Sequence, residues 1–246
     1  MKGRTALITG GLGVIGTAIS REFINLGAKV IVVDRGSKEK AQAWQTQQKE
    51  EGYEIACIYA DVTNYDNCCD MAKNIEKNFN PIDIIVNGAG TIQDVSFRKM
   101  TPEQWNHVLH TDLDSLFNVT RQFINGMIER GYGRIINISS VNGEKGQFGQ
   151  TNYASAKSGM YGFTKSLALE VAKYGITVNS ISPGYVESKM VMSIAEDIQK
   201  QIIAQIPVGR LAKPEEIAWA IAFLASERSA FITGSNLAIN GGIHMY

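Results

Sequence analysis

Cysteine is scarce in this chain of 246 residues, and the three present, Cys57, Cys68 and Cys69, argue against two classes of protein. An odd set with two adjacent members makes neither a disulfide framework nor a metal motif. It suits a reducing, cytoplasmic setting. His107, His110 and His244 have no ligand spacing, so no metal site is expected. Excess charge is missing too. The 24 basic and 24 acidic residues cancel, which leaves no nucleic-acid partner and no membrane-surface partner to expect. Long apolar runs are absent: the longest, Ile217 to Ala225, is far short of the ~20 residues that a membrane helix needs. Met1-Lys2-Gly3-Arg4 leads into an apolar segment that glycines interrupt at once, which predicts a buried strand rather than a signal peptide. Linkers, repeats and low-complexity tracts are also lacking. Residues 1–246 therefore read as one domain.

What is present is an alternation of short β-rich runs with helical periods. Strands are expected at Thr5–Ile8, Lys29–Val33, Glu54–Tyr59, Ile82–Val86, Arg134–Ile138, Ile176–Ile181 and Ser235–Ile239. Helices are expected from Ile15 to Leu26, along a polar stretch ending near Glu51, and from Asp61 to Phe79. A long one is expected from Thr101-Pro102 to Glu129, with a Thr cap and Pro in its first turn. Another carries Tyr153 and ends near Tyr174, and one opens at Pro214. Residues 185–208 read as a helical insertion. This alternation specifies an α/β fold, a doubly wound parallel sheet with helices on both faces, and ligands then bind beyond the strands' C-terminal ends.

The motifs fall at those ends. Gly11, Gly13 and Gly16 make a G-x-G-x-x-G turn between a strand and a helix, where a pyrophosphate can approach backbone amides. With Gly10, Leu12 and Ile15 this is the expected dinucleotide turn. Asp34 closes the second strand, placed to accept hydrogen bonds from adenosine ribose hydroxyls, with Arg35 beside it. Asp61, followed by Val62, is placed either for the adenine amino group or as a helix cap. Asn87-Gly88-Ala89-Gly90 offers small residues against which a flat cofactor can lie. Ser140 ends a strand, and Tyr153 and Lys157 share a helix face at i and i+4. Hydroxyl, phenol and ammonium together can polarise a carbonyl and deliver a proton to it.

In this order, the glycine turn, Asn87 to Gly90, Ser140 and Tyr153-x-x-x-Lys157 resemble the short-chain dehydrogenase/reductase family along essentially the whole chain. Lys145 to Tyr153, Ser182-Pro183-Gly184-Tyr185 and Asn240-Gly241-Gly242 further resemble the acetoacetyl-CoA reductases of polyhydroxybutyrate synthesis. That resemblance implies reduction of acetoacetyl-CoA to (R)-3-hydroxybutyryl-CoA in a homotetramer. It implies cofactor contacts from Pro183, Gly184 and Val186 and substrate contacts from Asp94, Ser140, Gln147, Phe148, Gln150, Tyr153 and Tyr185. Val14 and Gly88 depart from the family pattern, and so does Asp112, which stands where the family has a catalytic Asn. An Asn there holds a water beside the lysine; Asp can hold it as acceptor only.

On this reading Ser140 stabilises charge on the ketone oxygen and Tyr153 is the general acid. A free phenol ionises near a pH of ~10, and a Lys157 ammonium close by favours phenolate. Lys157 also binds the nicotinamide ribose. The cofactor is NAD(H) or NADP(H). The resemblance favours NADPH, whereas Asp34 would repel a 2′-phosphate unless Arg35, Lys38 and Lys40 relieve it, so the sequence leans to NAD(H). Met190, Met192, Ile194 and Ile198 read as a lid over the acyl chain; Lys189 and Lys200 are within reach of CoA phosphates. Two alternatives stay open. One is a ketoreductase acting on 3-oxoacyl thioesters of acyl-carrier protein, or another short-chain ketoreductase. The other is a dinucleotide-binding regulator without turnover.

Overall fold

The alternation of β-branched runs and helical periods builds one seven-stranded sheet covered on both faces. The computed structural model describes residues 1–188, 191 and 195–245. The strands are β1 (Thr5–Thr9), β2 (Lys29–Asp34), β3 (Ala56–Tyr59), β4 (Ile84–Asn87), β5 (Gly133–Ile138), β6 (Ile176–Pro183) and β7 (Asn236–Ile239). They lie side by side in the order β3-β2-β1-β4-β5-β6-β7, each pair parallel. This is the doubly wound sheet that the sequence predicts. The winding reverses between β1 and β4, where Thr9 lies opposite Asn87. A crevice opens at that switch point, beyond the strands' C-terminal ends.

The helices are α1 (Val14–Asn25), α2 (Lys38–Glu50), α3 (Tyr65–Asn78), α4 (Pro102–Leu109), α5 (Ser115–Arg130), α6 (Val141–Lys145), α7 (Thr151–Val171), α8 (Glu196–Ala204) and α9 (Pro214–Ala225). Successive residues of a strand face opposite sides. So Ile8 and Val32 pack with Ile19 and Phe23 of α1 and Ile217 and Ile221 of α9. Leu7 and Ile31 pack on the other side with Met71 and Ile75 of α3 and with Val119 and Phe123 of α5. Strands buried on both faces need continuous apolar sequence, which Val30 to Val33 supply.

Two local expectations need correction. The helix expected from Asp61 starts at Tyr65, because the Asn64 side chain caps it by accepting from Asn67 N at 3.0 Å. Asp61 instead folds its own turn, accepting from Thr63 N at 3.0 Å and Thr63 Oγ1 at 2.8 Å. The long helix from Thr101 is broken into α4 and α5 by a π-helical turn, His110–Asp114. Around it Thr111 Oγ1 donates to His107 O and Ser115 Oγ to Thr111 O, local bonds that compete with the helix ladder. The short helix α6 follows Ser140 directly. The Thr101 cap itself holds: its side chain and that of Gln104 form a reciprocal capping box ahead of Pro102.

In the insertion, Lys189, Met190, Met192 and Ile194 lie outside the described residues. Helix α8 contributes no buried residue, and its Ile198 is exposed. Lys200 is paired with Glu196 at 2.8 Å on the surface.

Phe23 is wholly buried where α1 meets β1 and α9. Phe23→Ala should lower the unfolding free energy by roughly 3–5 kcal/mol, read from denaturant midpoints at fixed protein concentration.

Candidate active site

The glycine turn after β1 works by close approach. Gly10 has φ +66°, and a Cβ there would meet Gly88 O at 2.7 Å. A Cβ on Gly16 would meet Gly10 O at 2.6 Å, and one on Gly11 would strike the Val32 side chain. Gly11 thus seats the turn on β2, while Gly16 lets α1 start against it. Thr9 Oγ1 accepts from Gly88 N at 3.0 Å and Ala89 N at 3.1 Å, tying the turn after β4 to the turn after β1. Asn87 serves that scaffold from within: its amide donates to Asn137 Oδ1 at 2.8 Å and Thr120 Oγ1 at 3.3 Å. Leu12 is half-buried against the core.

These turns border a cleft of about 470 Å³. Gly10, Gly13, Ile15 and Gly16 form one wall, and Gly88 and Gly90 the floor. Asp112, Ser140, Tyr153 and Lys157 stand opposite, with Gln150, Pro183, Gly184, Tyr185 and Val186 completing the rim. A neighbouring hollow of about 160 Å³ holds Asp34, Arg35, Val62, Ala89 and Gly90. The two share Gly10 and Gly90, so they form one elongated trough from Asp34 to Tyr153. A trough floored by glycines that no Cβ could share, with a carboxylate at one end, fits an extended dinucleotide. Asp61 stays beside the trough and pairs with Arg35 at 3.9 Å.

Ser140 caps α6, its Oγ accepting from Asn142 N at 3.1 Å. That bond uses a lone pair and leaves the hydroxyl proton available to a ligand. Tyr153 and Lys157 project from the first turns of α7, with Lys157 Nζ 5.4 Å from the Tyr153 ring centre. Asn152, wholly buried, fixes the start of α7. Its Oδ1 accepts from Tyr153 N at 2.8 Å, and its Nδ2 donates to Gln93 O and Gln104 O.

Lys157 Nζ is buried, 3.1 Å from Asp112 Oδ2 and 2.9 Å from Ile138 O, to which it donates. Asp112 Oδ1 accepts from Thr91 N at 2.8 Å. The π-helical turn carries Asp112 to this place, and its side chain is 0% exposed. Gly90 is required beside it: a Cβ there would meet Asp112 Oδ2 at 2.9 Å and Lys157 Nζ at 3.4 Å. Burial pulls the Lys157 ammonium towards neutrality, but the Asp112 carboxylate and Tyr153 outweigh it and hold its pKa above the ordinary lysine value. Burial pushes the Asp112 carboxyl up, opposed by Lys157 and the Thr91 amide. A direct ion pair thus occupies the place where the family resemblance anticipates an Asn and a water.

The expected substrate residues separate into two groups. Gln150 is buried and committed: its Nε2 donates to both Asp94 oxygens, at 3.0 and 2.9 Å, and its Oε1 accepts from Asn142 Nδ2 at 2.9 Å. Tyr185 lines the cleft, and burial, then the nearby Asp94, pushes its phenol up. Gln147 accepts from Lys145 Nζ at the surface, and Phe148 is 89% exposed; neither lines the cleft. Sequence reasoning passed over Thr9, Asn152 and Tyr161. Tyr161 lies one turn beyond Lys157 on the same face, a spacing that was there to be read. Among the described residues no cluster of His, Cys, Asp and Glu could hold a metal.

The family whose model is described as enoyl-(acyl carrier protein) reductase matches residues 12–244. The chain is similar to an acetoacetyl-CoA reductase of Allochromatium vinosum, 49% identical over 99% of each chain. It is 47% identical to an acetoacetyl-CoA reductase of Cupriavidus necator, with 100% of both chains covered. A 3-oxoacyl-(acyl-carrier-protein) reductase of Vibrio cholerae is 41% identical, over 100% of this chain and 99% of its own length.

Removing one partner of a buried pair strands the other charge, which costs about 3–5 kcal/mol. Lys157→Met should therefore lower the denaturant midpoint sharply. The double variant Asp112→Asn/Lys157→Met should recover at least half of that loss. Equal destabilisation of the single and double variants would show that the pair is not coupled as its geometry implies.

Proposed function

We propose that this chain, which belongs to the short-chain dehydrogenase/reductase family, is an acetoacetyl-CoA reductase. The family makes it a nicotinamide-dependent oxidoreductase. The observation that carries the finer reading is the convergence of Ser140, Tyr153 and Lys157 on one wall of the trough, with Tyr185 at its rim. Full-length similarity to acetoacetyl-CoA reductases at 47–49% identity supports the CoA thioester over the carrier-protein thioester. The product would then be (R)-3-hydroxybutyryl-CoA, a monomer for polyhydroxybutyrate synthesis.

The nicotinamide supplies the hydride for the ketone carbon. Ser140 Oγ donates a hydrogen bond to the ketone oxygen, where negative charge develops; one such donor is worth about 2.7–4 kcal/mol of barrier. The Tyr153 hydroxyl gives that oxygen its proton. Lys157 remains an ammonium, binds the nicotinamide ribose and favours departure of the phenolic proton. Asp112 acts as a positioning residue: it fixes Nζ and limits how much positive charge the phenol senses. We read residues 185–208 as the lid, a reading supported by helix α8, which buries no residue on the core.

For the cofactor, Asp34 is the deciding group. Its Oδ1 accepts from Gly36 N at 2.7 Å, which holds the carboxylate at the ribose end of the trough. Unrelieved repulsion of a 2′-phosphate there would cost several kcal/mol. We therefore favour NAD(H). A homotetramer is supported by two apolar faces. A groove of about 550 Å³ between α5 and α7 includes Phe117, Ile124, Phe163 and Leu167. Near α9, Trp219 and Phe231 are 67% and 103% exposed. Faces of this kind suit isologous pairing. No helix among the described residues is long and apolar enough to cross a membrane. The free cysteines Cys57, Cys68 and Cys69 support a reducing compartment, and on that ground we place the enzyme in the cytoplasm.

Two measurements test this reading. Tyr153→Phe should retain less than a tenth of wild-type kcat on acetoacetyl-CoA while binding nucleotide as before; a higher residual rate removes Tyr153 from the role of acid. In a panel of both thioesters with both reduced cofactors, kcat/KM should be highest for acetoacetyl-CoA with NADH. Preference for the carrier-protein thioester would move the enzyme to the alternative ketoreductase, and preference for NADPH would remove the assignment based on Asp34. Nucleotide binding without turnover of any ketone would leave the regulator.

A further inference from the structure

Tyr161 lies on the same face of α7 as Tyr153 and Lys157, at i+8 and i+4 from them. Its hydroxyl donates to the Ser140 carbonyl oxygen at 3.1 Å and lies 2.9 Å from Ser182 Oγ. Ser140 lines the cleft and, on the proposed reading, carries the hydroxyl that binds the ketone oxygen. Ser182, wholly buried, immediately precedes Pro183 and Gly184, which line the nucleotide side of the cleft. One phenol therefore joins the main chain at the end of β5 to the end of β6. Behind it Asn236 Oδ1 lies 3.0 Å from Ser182 Oγ and 2.9 Å from Ser180 Oγ, and Asn236 Nδ2 donates to Glu144 Oε1 at 2.5 Å. Gly184 N donates to Ile239 O at 2.8 Å, which ties the turn to β7, and a Cβ on Gly184 would meet Asn240 Cα at 2.9 Å, so only glycine allows this close approach.

The geometry points to Tyr161 as a positioning residue that sets the distance between the Ser140 hydroxyl and the Pro183–Gly184 turn, and so between the oxygen-binding group and the hydride source. Tyr161 is not among the residues that line the cleft. It acts through the two strand ends that it joins. Hydride transfer depends steeply on donor–acceptor placement, and an error of about 1 Å can cost 10²-fold in rate.

This inference rests on the reductase reading, so the test uses ethyl acetoacetate as well as acetoacetyl-CoA. Failure on the CoA thioester alone faults the substrate assignment and leaves the comparison intact. Tyr161→Phe removes one oxygen and keeps the ring. It should lower kcat at least about tenfold, with nucleotide affinity and KM within threefold of wild type. With 4-deuterated reduced nucleotide, the primary isotope effect should become more steeply temperature-dependent, a readout that lost stability alone does not move. Ser182→Ala should act in the same direction, and the double variant should lose no more than Tyr161→Phe alone. A kcat within twofold of wild type, an unaltered isotope effect, or additive losses in the double variant would each overturn the assignment.

Discussion

A buried ammonium is the constraint on which this molecule turns. Lys157 carries its charge inside the protein, and three separate segments meet to make that tolerable. The π-helical turn brings the Asp112 carboxylate, β5 brings the Ile138 carbonyl, and Gly90 leaves the space that both charges need. Removing two ions from water costs several kcal/mol each, and their attraction repays this only with good geometry and further hydrogen bonds. Thr91 N supplies one such bond to Asp112. Two apolar side chains would fill the same space with less desolvation, so the pair is better explained by its use than by stability.

That use fits the sheet. Parallel strands deliver their C-terminal ends to one edge, and the reversal between β1 and β4 separates the flanking loops into a trough. The glycine turn and the Asn87–Gly90 turn shape the floor. Ser140 and α7 place hydroxyl, phenol and ammonium on the opposite wall. Thr9, Asn87, Asn137 and Thr164 form a polar seam through the sheet that keeps the two walls in register. On the proposed reading the chemistry needs a proton donor and a hydride source at one carbonyl, and this seam joins the turns that would hold them.

Much of this was legible in the sequence, because the signals are local. Strand runs, the glycine turn, Asp34 closing β2, the Thr101-Pro102 cap and the Tyr153–Lys157 spacing each depend on residues a few positions apart. What stayed hidden depends on distant partners. Asp112 reads, through the resemblance, as a residue holding a water beside the lysine; packing against α7 makes it the direct counterion of Lys157. Gln150 reads as a substrate contact, yet its amide is already shared between Asp94 and Asn142. Asp61 reads as an adenine contact or a cap; the chain turns once more and takes its cap from Asn64. Tyr161 reads as one more aromatic of a long helix until β5 and β6 are placed beside it.

The ion pair offers the most direct test. If the Asp112 carboxylate holds Lys157 above its ordinary value, Asp112→Asn removes the chief opponent of burial, and the ammonium should lose its proton at lower pH. The measurement is the pH dependence of kcat for ketone reduction by wild type and by Asp112→Asn, with nucleotide saturating. The basic limb should move to lower pH in the variant while the maximum rate survives. A basic limb that stays in place, or moves to higher pH, would contradict the central role of the buried pair.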